Sequence, residues 1–435
     1  MISATRDAIV VGAGLAGMTA ALELARSGQR VLVVDRRPVA GGRCGIWEID
    51  GHRFTVGCND FGRRLVTELH RLGVEVDFEP STAIFDLGAV KVQVPPSART
   101  GLRLLPHVPS VLSAVLRIKN GEARMIGELF DEGRRDGLGF RLLSLQAYAV
   151  GTPPQHLRAD MIRADYSKQY DYGHSQMMVP TGGPQAITDA MVARMRALGV
   201  ELLLGAEIVG FRREGASFAV QLGAGETLRA RTVLTTGAPA PRSRRGLKAV
   251  QLLFVVPREM PWVDARMLAF SPPRADRWMG ELDQGRFPQQ FGFHVFRDVE
   301  SEQARTLTGF LLAPRGMDRF DDALRARIFA DVERRVGEHV PGFSEAIRYR
   351  RLIDPSEYES IYGLGSSLAH DVFDVGQGLL PIQGDEPDAF RIGNAVAPPG
   401  DHANAAVLSG VLAANAALER LRSVQPAYTQ VAARE

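Results

Sequence analysis

The run Gly12-Ala13-Gly14-Leu15-Ala16-Gly17 lies between a short apolar, β-branched stretch at 8–11 and apolar residues at helical spacing from Leu15 to Ser27, and no other feature constrains the fold as strongly. A diphosphate needs backbone close to its oxygens with no bulky side chain in the way. Glycines at this spacing allow that approach, and a helix starting near Leu15 offers free N–H groups and the positive end of its dipole. Gly28 ends the helix. Arg30 to Val34 read as a second buried strand, and Asp35 stands at its C-terminal end, about 20 residues past the glycines, where an acid accepts ribose hydroxyls. The N-terminus is therefore a βαβ dinucleotide-binding unit, and the expected class is α/β, doubly wound and Rossmann-like.

The chain of 435 residues, 45% hydrophobic and 23% charged, is long enough for two cores. A net charge of +2 gives no basic field for nucleic acid, which is not an expected partner. Two cysteines, Cys44 and Cys58, are too few for a disulfide framework and fit a reducing cytoplasm. Glu23 and Arg26 interrupt the first apolar run, so neither a signal peptide nor a transmembrane helix is expected. No metal site is expected either.

Residues 99 to 165 read mainly as helix, punctuated by Pro106, Pro109, Pro153 and Pro154. An αβ pattern returns with the helix Pro184 to Leu198 and the strand Val200 to Leu204. Lys248 to Val256 and Phe291 to Leu312 are strand-like, Asp321 to Val336 is a polar helix, Phe390 to Gly393 a short strand, and Asn404 to Leu421 an alanine-rich helix. The organisation predicted is a discontinuous dinucleotide domain from 1–80, 175–240 and 376–425. A discontinuous α+β substrate domain takes 81–174 and 241–375, a helical insertion plus a second sheet.

After Asp35 the chain continues Arg36-Arg37-Pro38-Val39-Ala40-Gly41-Gly42-Arg43. This acid, spacer and Gly-Gly-Arg series resembles the signature of the flavin-containing amine oxidase and phytoene desaturase superfamily. The resemblance implies FAD, with Gly12, Gly14, Leu15, Ala16, Gly17, Asp35, Arg36, Gly42 and Arg43 among the residues that bind it. Asp50 to Gly57 is similar to the family's turn beside the flavin ring, with Thr55 where an Asp is usual. Val179 to Pro184 and Leu204 to Val209 resemble the second glycine pair and the adenine-side strand, which implies that the Ile208 backbone pairs with adenine. Arg391 to Asn394 and the stretch 400–414 resemble the C-terminal flavin motif, implying Gly393, Asn394, Asn404 and Ala405 as further cofactor residues. Asn394 replaces the common acid, as in protoporphyrinogen oxidases, and Asp35 replaces the commoner Glu. The nucleotide domain is well covered by the resemblance and the substrate region poorly.

No second glycine motif followed by an acid occurs, so a substrate is expected to reduce the flavin, and O₂, a quinone or another diffusing oxidant to take the electrons. Lys248 resembles the amine oxidase lysine that holds a water near flavin N5; an exposed strand-end lysine is the competing reading. His402 stands where amine oxidases carry an aromatic residue beside the flavin face. It suits a proton acceptor for the substrate, or a side chain bonded to its own turn. Cys58, in Gly57-Cys58-Asn59-Asp60, falls by the ring on the same resemblance, for covalent attachment, charge transfer or plain packing. Leu102 to Lys119 interleaves basic and apolar residues, as in a helix making peripheral membrane contact or a lid over an apolar pocket.

The resemblance thus implies an FAD-dependent oxidoreductase that removes two electrons from a small organic substrate in the biosynthesis of a specialised metabolite. It turns C–N into C=N or C–C into C=C. The alternatives are desaturation of a carotenoid-like polyene, redox-neutral isomerisation, and a non-catalytic lipid-binding chaperone of the kind seen in GDP-dissociation inhibitors, which complete flavin motifs disfavour. The oligomeric state has no signature in the sequence.

Overall fold

A computed structural model describes residues 5–88, 90–96, 101–102, 104–159, 170–173, 176–236, 244–364, 371–372, 380–396, 398 and 402–423. Strands Arg6–Val11 and Val31–Asp35 pair in parallel, Ala8 opposite Val31 and Val11 opposite Val34. Ile9, Val10 and Val33 are fully enclosed, as expected where helices and further layers cover both faces of a parallel sheet. Glu201–Leu204 extends the sheet beyond Val31–Asp35, Thr227–Thr236 extends it beyond Arg6–Val11, and Ala389–Ile392 adds the last parallel strand. Ser217–Leu222 and Ile208–Glu214 continue antiparallel from the first half of Thr227–Thr236. Gly12, Asp35, Thr236 and Gly393 all lie at or just beyond the carboxyl ends of the parallel strands, the edge at which open α/β sheets take ligands.

Helix Leu15–Arg26 is buried from Leu15 to Ala25, and its many small residues let neighbours come close. A Cβ on Gly17 would stand 1.8 Å from the Gly12 carbonyl oxygen. The C-terminal helix Ala403–Ser423 packs on Leu15–Arg26 at backbone distance, where a Cβ on Gly410 would lie 2.4 Å from the Ala16 carbonyl oxygen. Helix Pro184–Ala197 joins the same core through Ile187, Met191 and Met195.

The second sheet runs in the order Tyr349–Ile353, Ala249–Pro257, Ala304–Leu312, Phe293–Glu300, Met267–Phe270, Ala83–Asp86 and Lys91–Val94. One face, carrying Leu252, Phe254, Phe293 and Val295, packs on Ile328, Phe329, Val332 and Val336 of helix Asp322–Gly337. Alternation along each strand turns Gln251, His294, Phe296 and Phe310 to the opposite face. The stretch Phe291 to Leu312 is thus a hairpin, and the segment after residue 80 opens with two strands of this sheet before its helices Val108–Asn120 and Leu138–Ala149. Part of the predicted helical stretch 99–165, and Pro399 to Asp401 of the C-terminal motif, lie outside the described residues. Among the described residues, no helix is long and apolar enough to cross a membrane.

Candidate active site

A cavity of about 1110 Å³ lies between the carboxyl edge of the first sheet and the part of the second sheet's opposite face that carries His294, Phe296 and Phe310. That volume exceeds the roughly 300–1,000 Å³ of a pocket for one small ligand, so a dinucleotide and a second molecule have room together.

Its nucleotide-side wall is built from two glycine loops in contact. Gly41 N donates to the Ala13 carbonyl at 2.7 Å, Gly14 and Gly41 bridge in parallel, and a Cβ on Gly42 would lie 3.2 Å from the Gly14 Cα. Gly41 and Gly42 take φ of +117° and +59°, a region that a side chain would strain. The first turn of Leu15–Arg26 carries no acidic residue and its N-cap, Gly14, no side-chain bond, so its N–H groups face the cavity uncapped. A Cβ on Gly14 would meet nothing closer than the Gly42 Cα at 3.9 Å and would fill the cradle itself. This donor set fits a diphosphate.

Asp35 accepts from Ala13 N at 2.7 Å and from Arg37 N at 2.8 Å, and a carboxylate has lone pairs left for ribose hydroxyls. Arg36 is exposed at the rim and Arg43 is half-buried in the wall. Arg37 is structural: it is buried over the Trp47 ring, and its Nη1 donates to the Gly42 carbonyl at 2.8 Å. At the far end, Gly393 N donates to Ser409 Oγ at 2.9 Å, and Gly393 and Asn394 line the cavity with Ala403 and Ala406.

Gly17, Ile208, Asn404 and Ala405 do not line the cavity. Gly17 serves close packing of helix on turn. Ile208 pairs with Leu222 in the first sheet. The Asn404 side chain accepts from Leu65 N at 3.0 Å and so ties the C-terminal helix to Arg63–Arg71. Ala405 packs with Tyr172 and Leu408.

Lys248 and Asp318 both line the cavity as an ion pair at 2.6 Å, each partly exposed. His402 also lines it, edge-on to Tyr172 with ring centroids 4.6 Å apart, and its Nδ1 accepts from Ala405 N at 3.2 Å. That bond caps the C-terminal helix and occupies the lone pair that a base at Nδ1 would need. Cys44 and Cys58 share the wall, and contact with Cys58 together with burial holds the Cys44 thiol above its usual range.

Several lining or supporting residues had no signature in the sequence reading. Burial pushes Asp60, on the wall, up to about 6. Asp298 is pushed up to about 7 by burial, against the hydrogen bonds it accepts from Thr308 and, at 2.8 Å, from Asn59. His294, Phe296, Phe310 and Tyr148 form the floor opposite the glycine loops. Proximity to Gly57-Cys58 was the only available signal for Asn59 and Asp60. Asp298, His294, Phe296 and Phe310 depend on strand register, and Tyr148 on how its helix packs against the second sheet.

A family model of the flavin containing amine oxidoreductases matches residues 15–259, more than half of the chain. The 1-hydroxycarotenoid 3,4-desaturase of a Flavobacterium species is 41% identical over 76 residues, 17% of this chain and 16% of that protein. Phytoene dehydrogenase of Streptomyces griseus is 55% identical over 49 residues, 11% of this chain and 10% of that protein. The matched part therefore spans about a sixth or less of these curated relatives. Cyclohexylamine oxidase from Brevibacterium oxydans superposes with a TM-score of 0.68 at 16% identity, over 96% of this chain and 100% of that one, a likeness of fold. With its glycine loops, Gly-Gly-Arg turn and C-terminal helix assembled around one cavity, and the family model running from the first helix into the second sheet, the chain belongs to the flavin containing amine oxidoreductase family.

Proposed function

We propose that this chain is an FAD-dependent oxidoreductase that takes two electrons from a small organic molecule, turning C–N into C=N or C–C into C=C with release of a proton to solvent, in the biosynthesis of a specialised metabolite. The single observation that carries the reading is one cavity of about 1110 Å³ with a phosphate cradle on one wall and an aromatic sheet face on the other. FAD, when bound, would supply the hydride acceptor. Gly12, Gly14, Leu15, Ala16 and Gly42 hold its diphosphate, Asp35 and Arg36 its ribose, and Gly393 and Asn394 the flavin end, while Gly17 keeps the helix close. Residues 1–80, 175–240 and 376–425 serve the cofactor; 81–174 and 241–375 enclose the substrate. His402 orients the helix that faces the flavin, and Lys248, held by Asp318, supplies a cation at the wall for reoxidation by O₂, a quinone or another oxidant. Two thiols rather than a disulfide suit a cytoplasmic setting.

Anaerobic addition of amines, amino acids, pyrroline-like heterocycles and polyenes to the purified yellow protein tests the proposal. Bleaching of the flavin band by one class is expected. A colourless protein, or a band that no class bleaches, overturns it.

A second reading, action on an apolar polyene by desaturation or isomerisation, draws on the surface of Val108–Asn120 and the turn before it. Leu105, Val108, Leu112, Val115 and Leu116 are all exposed there beside Lys119, a face suited to peripheral membrane contact. Flotation with anionic vesicles, lost in Leu112→Glu/Leu116→Glu, supports that contact; an unbound wild type removes it.

A further inference from the structure

The floor of the cavity holds a polar device that the oxidation chemistry above does not use. His294 comes from strand Phe293–Glu300 and is paired across the sheet with Phe310, and its Nδ1 lies 3.0 Å from the Tyr148 hydroxyl. Tyr148 reaches in from the last turn of helix Leu138–Ala149, and its hydroxyl donates to the buried Phe310 carbonyl at 2.9 Å. A phenol has one proton. With that proton committed to the carbonyl, Tyr148 can only accept from His294, so Nδ1 carries the imidazole proton and Nε2 carries the lone pair. Burial holds the Tyr148 phenol well above its usual range, so it stays protonated in this role. Tyr148 is the one hydrogen-bond partner of His294 among the described residues, which leaves Nε2 to whatever enters the cavity.

The surroundings are flat and apolar. The rings of Phe296 and Phe310 stand 5.1 and 5.4 Å from the His294 ring, and Trp278 backs Tyr148 at 6.0 Å. No carboxylate pairs with His294 among the described residues, and burial lowers it to about 4. The imidazole therefore stays neutral, and a neutral ring with a fixed tautomer is a hydrogen-bond acceptor rather than a base that holds a proton.

We propose that His294 is a specificity-determining residue: its Nε2 accepts a hydrogen bond from an O–H or N–H on a flat, uncharged aromatic or conjugated substrate lying against Phe296 and Phe310, and Tyr148 positions it by fixing the tautomer. The proposal rests on the cavity being the oxidation chamber, and it narrows the substrate to a class that carries a donor on a conjugated frame. No proton or electron moves in this recognition step.

Indole and benzothiophene, equal in shape but with N–H replaced by sulfur, are suitable probes. Calorimetric binding to the wild-type protein is expected to favour indole about threefold to tenfold, the worth of one buried hydrogen bond. The preference disappears in His294→Phe and is kept within about threefold in His294→Gln, whose amide oxygen accepts. Tyr148→Phe, acting only through the tautomer, weakens the preference and moves the wild-type Nε2 nitrogen resonance of the free protein. Equal binding of the two probes by wild type, a preference that survives in His294→Phe, or an unmoved Nε2 resonance in Tyr148→Phe overturns the proposal. Because binding is read without turnover, these outcomes are separate from a failure of flavin bleaching.

Discussion

Replacing Gly14 by valine separates the cradle from the fold. Gly14 has φ −79° and ψ 178°, a conformation open to any residue, and its Cβ would find only the Gly42 Cα, at 3.9 Å. The flavin-free protein should therefore accept the side chain at a cost within about 0.5 kcal/mol, like an ordinary surface change. The bound cofactor cannot accept it, because the isopropyl group occupies the space in front of the uncapped helix turn. Loss of an anion at a helix N-terminus costs about 1 kcal/mol, and loss of a charge-assisted hydrogen bond about 2 more. Roughly 3 kcal/mol corresponds to about a hundredfold weaker binding. Titration of flavin-free protein with FAD, followed by flavin fluorescence, measures the affinity, and thermal unfolding of the flavin-free forms measures the fold. Gly17→Ala is the opposing control. Its Cβ falls 1.8 Å from the Gly12 carbonyl oxygen, so overpacking of about 1–3 kcal/mol should outweigh the gain of about 1 kcal/mol in helix propensity and lower the unfolding temperature. A Gly14→Val protein that purifies with full wild-type flavin, or one whose flavin-free form unfolds as early as Gly17→Ala, would refute the reasoning.

Three further outcomes are expected. Asp298, raised by burial to about 7, favours the folded state while protonated, and this stabilisation is full below about pH 4 and lost as pH rises through 7. Asp298→Asn should therefore gain on wild type by roughly 2 kcal/mol between pH 4 and pH 8, about half of three full units because Asp298 is half-buried rather than fully enclosed; parallel pH profiles of the denaturation midpoints would contradict this. Lys248→Met, which leaves Asp318 without its 2.6 Å partner, should slow reoxidation by O₂ more than reduction by substrate in stopped-flow traces, and equal slowing removes the oxidase role. His402→Ala should lower the rate of flavin reduction and loosen the start of the C-terminal helix by about 1 kcal/mol, with His402→Asn restoring both because its side chain also caps; a defect that Asn leaves unrepaired points instead to chemistry at the ring.

Local chain grammar made the nucleotide side legible in the sequence. The strand, glycine turn and helix from Arg6 to Arg26, Asp35 at the next strand end, and Gly41-Gly42 within a few residues of it are short-range features, and each residue type is demanded by backbone conformation or by the ligand itself. Tertiary structure decided the rest. Asn404 looks like a site residue in the chain, but packing commits its side chain to Leu65 N in helix Arg63–Arg71. The chain from 99 to 165 reads mainly as helix and no strand is read in the stretch before it, yet Ala83–Asp86 and Lys91–Val94 complete the second sheet because Met267–Phe270 offers them an edge. His294 and Tyr148 are 146 residues apart and meet only because strand register turns His294 to the cavity; a shift of one residue would turn Phe293 there instead. The sequence by itself therefore determined the glycine cradle proposed to hold a dinucleotide, through local backbone requirements. The face opposite it, proposed here to select the substrate, was decided by side-chain alternation across strands that only the folded chain brings into register.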